Sequence, residues 1–161
     1  NLLGADGSGL RGLTQSPGID TEPVFTPDGR SLLFTSDRGG APQIYRLSID
    51  SGSAERVSFK GNYNISPQLS PDGKTLVYVT RRAGYQIASL DLASGNEMLL
   101  TNSGKDESPS FAPNGKMILY ATSQGGRGVL AAVSSDGRIT QTLSVLSGAG
   151  PEPTWGPFHT N

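Results

Sequence analysis

Glu22-Pro-Val-Phe-Thr-Pro-Asp-Gly-Arg-Ser-Leu-Leu-Phe-Thr-Ser36 is a phrase that this chain writes again twice in full and once in part. It returns as Ser66-Pro-Gln-Leu-Ser-Pro-Asp-Gly-Lys-Thr-Leu-Val-Tyr-Val-Thr80 and as Ser108-Pro-Ser-Phe-Ala-Pro-Asn-Gly-Lys-Met-Ile-Leu-Tyr-Ala-Thr122, then as the short Glu152-Pro-Thr-Trp-Gly-Pro157. The inner prolines, Pro27, Pro71, Pro113 and Pro157, are 44, 42 and 44 residues apart. A fixed period of this length marks a repeat architecture, in which each unit buries its apolar face against its neighbours.

Within each unit the turn signals divide the chain into four strands. The first, around 21–26, 66–70 and 108–112, ends at Pro-Asp-Gly or Pro-Asn-Gly, where proline presets φ and glycine accepts a positive φ. The second, 31–36, 75–80 and 116–122, is apolar on both faces, with Leu32, Leu76, Ile118, Phe34, Tyr78 and Tyr120 on one side and Leu33, Val77 and Leu119 on the other. Such a strand has to be covered twice. The third, 43–49, 86–92 and 128–134, follows glycine-containing turns, and the fourth, of the 54–58 type, is polar enough for an outer edge. Four antiparallel strands about every 43 residues, with the middle strands buried on both sides, predict an all-β chain of β-propeller blades. A two-sheet sandwich would not require near-identical turns at the same phase of every unit.

The expected division is one partial propeller domain over 1–161. Residues 1–14 close a blade, 15–58, 59–101 and 102–144 are three blades, and 145–161 supply the first strand of a further blade and a tail. Three blades and two partial ends do not close a ring, so the chain is read as part of a larger propeller of six blades. An open arc would expose an apolar flank at each end, which makes closure by a second copy an expectation to test.

Composition narrows the functional classes. The chain has 161 residues, 34% of them apolar, with 22 glycines, 11 prolines and no cysteine, which excludes disulfides and thiolate metal sites. The formal charge is −1 and the 13 basic residues are scattered, with Arg81-Arg82 the longest basic run, so no nucleic-acid partner is expected. No apolar run approaches membrane-spanning length. The single histidine, His159, is among the last three residues, and no Gly-x-Ser-x-Gly elbow occurs. Gly125-Gly-Arg-Gly128 lacks the Lys-Ser/Thr end of a phosphate loop and reads as a turn. Catalysis is therefore not expected.

The loops that lead into each first strand share one end of a propeller's channel. Here they are 19–22, 63–66, 105–108 and 150–152, and they carry the recurring carboxylates Asp20, Glu22, Asp106, Glu107 and Glu152. Loop residues carry function more often than core residues, so this rim is the candidate binding site. Hard cations take oxygen ligands of this kind, which raises Ca²⁺ at the channel mouth as an alternative to solvated rim charges. No EF-hand spacing is present, and no cofactor is expected. The aromatics Phe34, Tyr45, Tyr78 and Tyr120 recur at repeat phase and read as core, as do Phe25, Leu69, Phe111 and Trp155 in the first-strand column.

Several phrases go beyond generic blade signals: Thr21-Glu-Pro, Phe34-Thr-Ser-Asp37, Pro42-Gln-Ile-Tyr45, Asp106-Glu-Ser-Pro-Ser110, Ala112-Pro-Asn-Gly115, Ser123-Gln-Gly125, Val133-Ser-Ser-Asp-Gly-Arg138 and Trp155-Gly-Pro157. In that order they resemble the carboxy-terminal propeller of the TolB family of the Tol-Pal envelope system. The tail Phe158-His-Thr-Asn161 runs past the family's expected end, and the family's amino-terminal domain and first blades have no counterpart here. The resemblance implies a periplasmic, non-catalytic scaffold that binds the lipoprotein Pal at the channel mouth and supports outer-membrane integrity and cell division. It further implies a TolA contact through an amino-terminal segment and use of the Pal site by some bacteriocins. Residues Asp20, Thr21, Glu22, Asn64, Ile65, Asp106, Glu107 and Glu152 are the expected partner contacts, with Thr21 and Glu22 at family positions associated with binding. The alternative is the propeller portion of a hydrolase, such as a prolyl peptidase, without its catalytic domain.

Overall fold

The structure, a computed structural model, describes residues 23–145. Among them are twelve strands: β1 (Val24–Phe25), β2 (Ser31–Ser36), β3 (Gln43–Ser48), β4 (Ala54–Arg56), β5 (Asn64–Leu69), β6 (Thr75–Arg81), β7 (Tyr85–Asp91), β8 (Glu97–Leu99), β9 (Glu107–Phe111), β10 (Met117–Gln124), β11 (Arg127–Ser134) and β12 (Thr140–Val145). They form three four-stranded sheets, β1-β2-β3-β4, β5-β6-β7-β8 and β9-β10-β11-β12, each an antiparallel meander in chain order. The first strand of each later sheet packs against the sheet before it, β5 on β1, β2 and β3, and β9 on β5, β6 and β7.

The two-sided apolar pattern of the second strands becomes two intersheet cores. Leu33 and Ile44 of the first sheet meet Leu76, Tyr78, Ala88 and Leu90 of the second. Val77, Val79 and Ile87 on the opposite face of the second sheet meet Ile118, Tyr120, Ala131 and Val133 of the third. Each fully buried side chain of this kind contributes roughly 1.5–3 kcal/mol relative to exposure, so the middle strands supply most of the hydrophobic stabilisation. Phe34, Tyr45, Tyr78 and Tyr120 are all buried, as their repeat phase requires.

Two expectations are corrected. Phe25 is 50% exposed rather than core, because β1 is only two residues long and only Val24 faces the second sheet's cluster. The anticipated bare apolar flanks are absent from the described residues. Leu32, Phe34, Tyr45 and Leu47, on the face of the first sheet turned away from the second, are a buried cluster, and Leu119, Leu130 and Ala132 on the far face of the third sheet are buried too.

The outer strands are short or wet. β4 and β8 have three residues each, and β12 is exposed along its length, as a polar edge must be to discourage pairing with other chains. Past the end of β4 the backbone N–H groups of Val57 and Ser58 still donate to Ile44 O.

The turns that close β1 to β2 repeat one design. Thr26 Oγ1 donates to Asp28 Oδ1 (2.6 Å), which also accepts from Arg30 N (2.9 Å), while Ser31 N donates to Thr26 Oγ1 (3.1 Å). Ser70, Asp72, Lys74 and Thr75 copy this at 2.6, 2.9 and 3.0 Å. Ser134, Asp136, Arg138 and Ile139 use it again between β11 and β12. In the third sheet Ala112 supplies no hydroxyl, and Asn114 Oδ1 keeps only the Lys116 N–H (2.9 Å). Gly73 closes its turn at φ +77, where any side chain would be strained.

Candidate functional site

In each meander the turns after odd strands gather at one end and the connections after even strands at the other. The second end therefore collects the intersheet loops 57–63 and 100–106, together with the β2–β3, β6–β7 and β10–β11 hairpins. Of the candidate residues, Asn64, Ile65, Asp106 and Glu107 lie at this end.

Its two described intersheet loops are braced from within. Asn64, fully buried, donates through Nδ2 to Gln43 Oε1 (2.7 Å) and Lys60 O (2.9 Å). Gln43 Oε1 also accepts from Ser58 Oγ (2.6 Å), and Gln43 Nε2 donates to Gly61 O (3.1 Å). Asp106, 1% exposed, occupies the same repeat phase but works as an acceptor, from Ser103 Oγ (2.5 Å) and Ser103 N (3.2 Å). Ser103 Oγ lies 3.1 Å from Thr122 Oγ1 as well. The Asn64 Oδ1 atom and the hydroxyl of its strand partner Thr80 are buried without a protein partner, so the 57–63 junction lacks the bridging hydroxyl that Ser103 gives the 100–106 junction.

A shared strain follows each brace. Ser66 and Ser108, each preceding a proline, adopt φ of +58 and +55, a region costly to non-glycine residues, at β-bulges in β5 and β9. Ser66 N donates to Thr35 Oγ1 (3.3 Å), which ties the bulge to the preceding sheet.

The candidate residues therefore separate. Asn64 and Asp106 are internal struts, unavailable to a partner's side chain. Ile65 is half-buried and packs against the second intersheet core. Glu107 stands exposed at the start of β9. Asp20, Thr21, Glu22 and Glu152, like Trp155 and His159, lie outside the described residues. Among the described residues no three metal-capable side chains converge.

Sequence reasoning missed the groups that dominate this end. Arg81 Cζ sits 5.9 Å from the Tyr63 ring centroid and 5.8 Å from that of Tyr85, and the two rings meet edge-on at 5.9 Å. Arg82 pairs with Glu97 (2.7 Å), which also accepts from the Tyr78 hydroxyl. Hydrogen bonding to Glu97 holds the Arg82 guanidinium pKa above its usual value, and burial, reinforced by Glu97, raises that of the Tyr78 phenol. The Arg81-Arg82 doublet was visible in the sequence, but its two members have unrelated tasks that only the fold assigns.

Comparison with known proteins places this geometry. The family model described as the TolB beta propeller domain matches residues 2–159. The Tol-Pal system protein TolB of Bordetella pertussis is 65% identical over 153 residues, covering 94% of this chain and 35% of that protein. The crystal structure of TolB from Acinetobacter baumannii superposes with a TM-score of 0.77 at 46% identity, over 84% of this chain and 34% of that one. A prolyl endopeptidase structure, at 14% identity and a TM-score of 0.56, shares the fold alone. The chain spans about a third of the length of the curated relatives it matches.

Proposed function

Because the chain belongs to the TolB β-propeller family of the Tol-Pal system, we propose that it is a non-catalytic, partner-binding propeller portion of a periplasmic envelope scaffold. Its partner at the loop end is the lipoprotein Pal, and through that contact it serves outer-membrane integrity and cell division. The observation that carries this reading is the bracing of the intersheet loops. Gln43, Ser58 and Asn64 in one, and Ser103, Asp106 and Thr122 in the next, hold their loops from below, so that exposed residues such as Glu107 are presented without a large ordering cost on binding. Asp20, Thr21, Glu22 and Glu152 complete the proposed contact, and Asn64 and Asp106 support it without touching the partner. The TolA contact belongs to an amino-terminal segment of the family rather than to these blades.

Calorimetric titration with the soluble domain of Pal tests the reading. Glu22→Ala and Glu107→Ala are expected to weaken binding by about tenfold together, within the range of single interface truncations, while the melting temperature stays unchanged. Absence of any Pal binding by a sample shown to be folded would refute it.

A further inference from the structure

We propose that Tyr63, Arg81 and Tyr85 form a docking platform for an acidic, extended protein segment, with Lys60 and Lys105 flanking it. The inference concerns the same end of the sheets as the Pal reading but does not depend on Pal as the occupant.

The first argument is the state of the arginine. Arg81 is exposed and stacked against two tyrosine rings, and it has no carboxylate within ion-pair distance among the described residues. Its neighbour Arg82 is already consumed by Glu97. A guanidinium held by ring faces has lost much of its rotamer freedom before any ligand arrives, and its N–H edge remains open to a bidentate carboxylate. Tyr85 is 36% exposed beside it, so an incoming chain finds apolar ring surface and phenol oxygen within one contact. Burial, then the nearby Tyr85, pushes the Tyr63 phenol above its ordinary value, which keeps the platform free of negative charge.

The second argument is rigidity. Arg81 N donates to Tyr63 O (3.0 Å), Tyr85 N to Gly104 O (2.8 Å) and Asp106 N to Tyr85 O (3.0 Å), so the platform spans two intersheet loops and a hairpin bonded into one piece. Gly84 and Gly104 approach so closely that a Cβ on Gly84 would lie 2.7 Å from Gly104 Cα. Preorganisation of this kind lowers the cost of binding.

The third argument is charge. Lys60 and Lys105, both exposed, stand on the two loops that the platform joins, and neither is ion-paired among the described residues. A nucleic acid or another dense polyanion fits poorly, since Glu107 is exposed on the same rim and the chain's formal charge is −1. A protein segment with a few spaced carboxylates fits all three cations.

The test uses the full chain and fluorescent peptides of about eight residues that alternate glycine with Glu, Gln or Lys, titrated at roughly 50 and 300 mM salt. The Glu peptide should bind, lose affinity at the higher salt, and shift the Tyr63 and Tyr85 resonances. Arg81→Gln should weaken it about fivefold or more, and Arg81→Lys should recover only part of the loss, since a point charge cannot replace the fork. Arg127→Gln, on another hairpin of the same end, should leave binding unchanged, with circular dichroism melts confirming that each variant folds. The proposal is overturned if the Glu peptide fails to bind, if the Gln peptide binds equally, if oligothymidylate binds as tightly, or if Arg127→Gln matches Arg81→Gln. Peptide binding without Pal binding would refute only the Pal reading, and Pal binding without peptide binding would refute only this one.

Discussion

The two ends of the same strands are built on different rules. At one end Thr26-Pro-Asp-Gly, Ser70-Pro-Asp-Gly and Ser134-Ser-Asp-Gly fold to the same hydrogen bonds within a tenth of an ångström, each satisfied inside six consecutive residues. At the other, Asn64 and Asp106 share a repeat phase yet one donates and the other accepts, and the partners of Asn64 include Gln43, 21 residues away. Local closure can be copied from blade to blade without regard to neighbours. A loop that bridges two sheets has to answer to both, and so each one is individual. Recognition of a specific partner needs individuality, which is why the proposed contacts lie at the bridging end.

The comparison is most sharply broken by exchanging the two buried struts. Asn64→Asp would point carboxylate oxygens at Gln43 Oε1 and the Lys60 carbonyl, and should cost about 3 kcal/mol at neutral pH, measured by urea denaturation. Burial without donors raises the folded pKa of the new carboxyl, so part of the loss should return as the pH falls below that value and the group protonates. The reverse change, Asp106→Asn, retains an acceptor for the Ser103 hydroxyl and should cost only about 1 kcal/mol. Equal losses would mean that the two junctions are not distinct.

A smaller contrast lies within the hairpins. Gly84→Ala combines φ +95 with the Gly104 backbone at 2.7 Å and should cost about 2–3 kcal/mol, while Gly125→Ala, with φ +57 and nothing within 4 Å, should cost about 1 kcal/mol. Urea denaturation of both variants measures how tightly the β6–β7 hairpin is held against the 100–106 loop.

The mildest effect belongs to the repeated turns. The Thr26, Ser70 and Ser134 hydroxyls, followed by the Arg30, Lys74 and Arg138 backbone N–H groups, hold the Asp28, Asp72 and Asp136 carboxyls below the usual carboxylate range. A carboxylate with a depressed folded pKa stabilises fully above its ordinary value, and that contribution disappears as the pH falls through the depressed one. Stability should therefore decline on acidification below the ordinary carboxylate range, and Asp72→Asn should flatten the decline. Asn114, which already stands at the equivalent place, should make the β9–β10 turn indifferent to it.

Much of this architecture is legible along the chain. Pro-Asp-Gly or Pro-Asn-Gly marks the first turn of each of the three units, and the alternation Leu32, Leu33, Phe34 assigns faces correctly because a strand's side chains alternate regardless of what covers them. The candidate site is less legible. Asn64 and Asp106 look like rim residues because they are polar and precede a strand, but their loops fold back over the neighbouring sheet and bury them. Arg81 and Arg82 look like a simple basic pair, yet one stacks on Tyr63 and Tyr85 while the other closes on Glu97.

The sequence by itself determined the repeat, the four-stranded unit, the turn chemistry and the two-faced cores, because each depends on contacts between near neighbours or on the period of a strand. Only the tertiary structure decided which polar residues support the loops and which face outward. Those positions depend on where one sheet lies against the next, through hydrogen bonds and ring contacts between residues some twenty positions apart, and no local pattern encodes that distance.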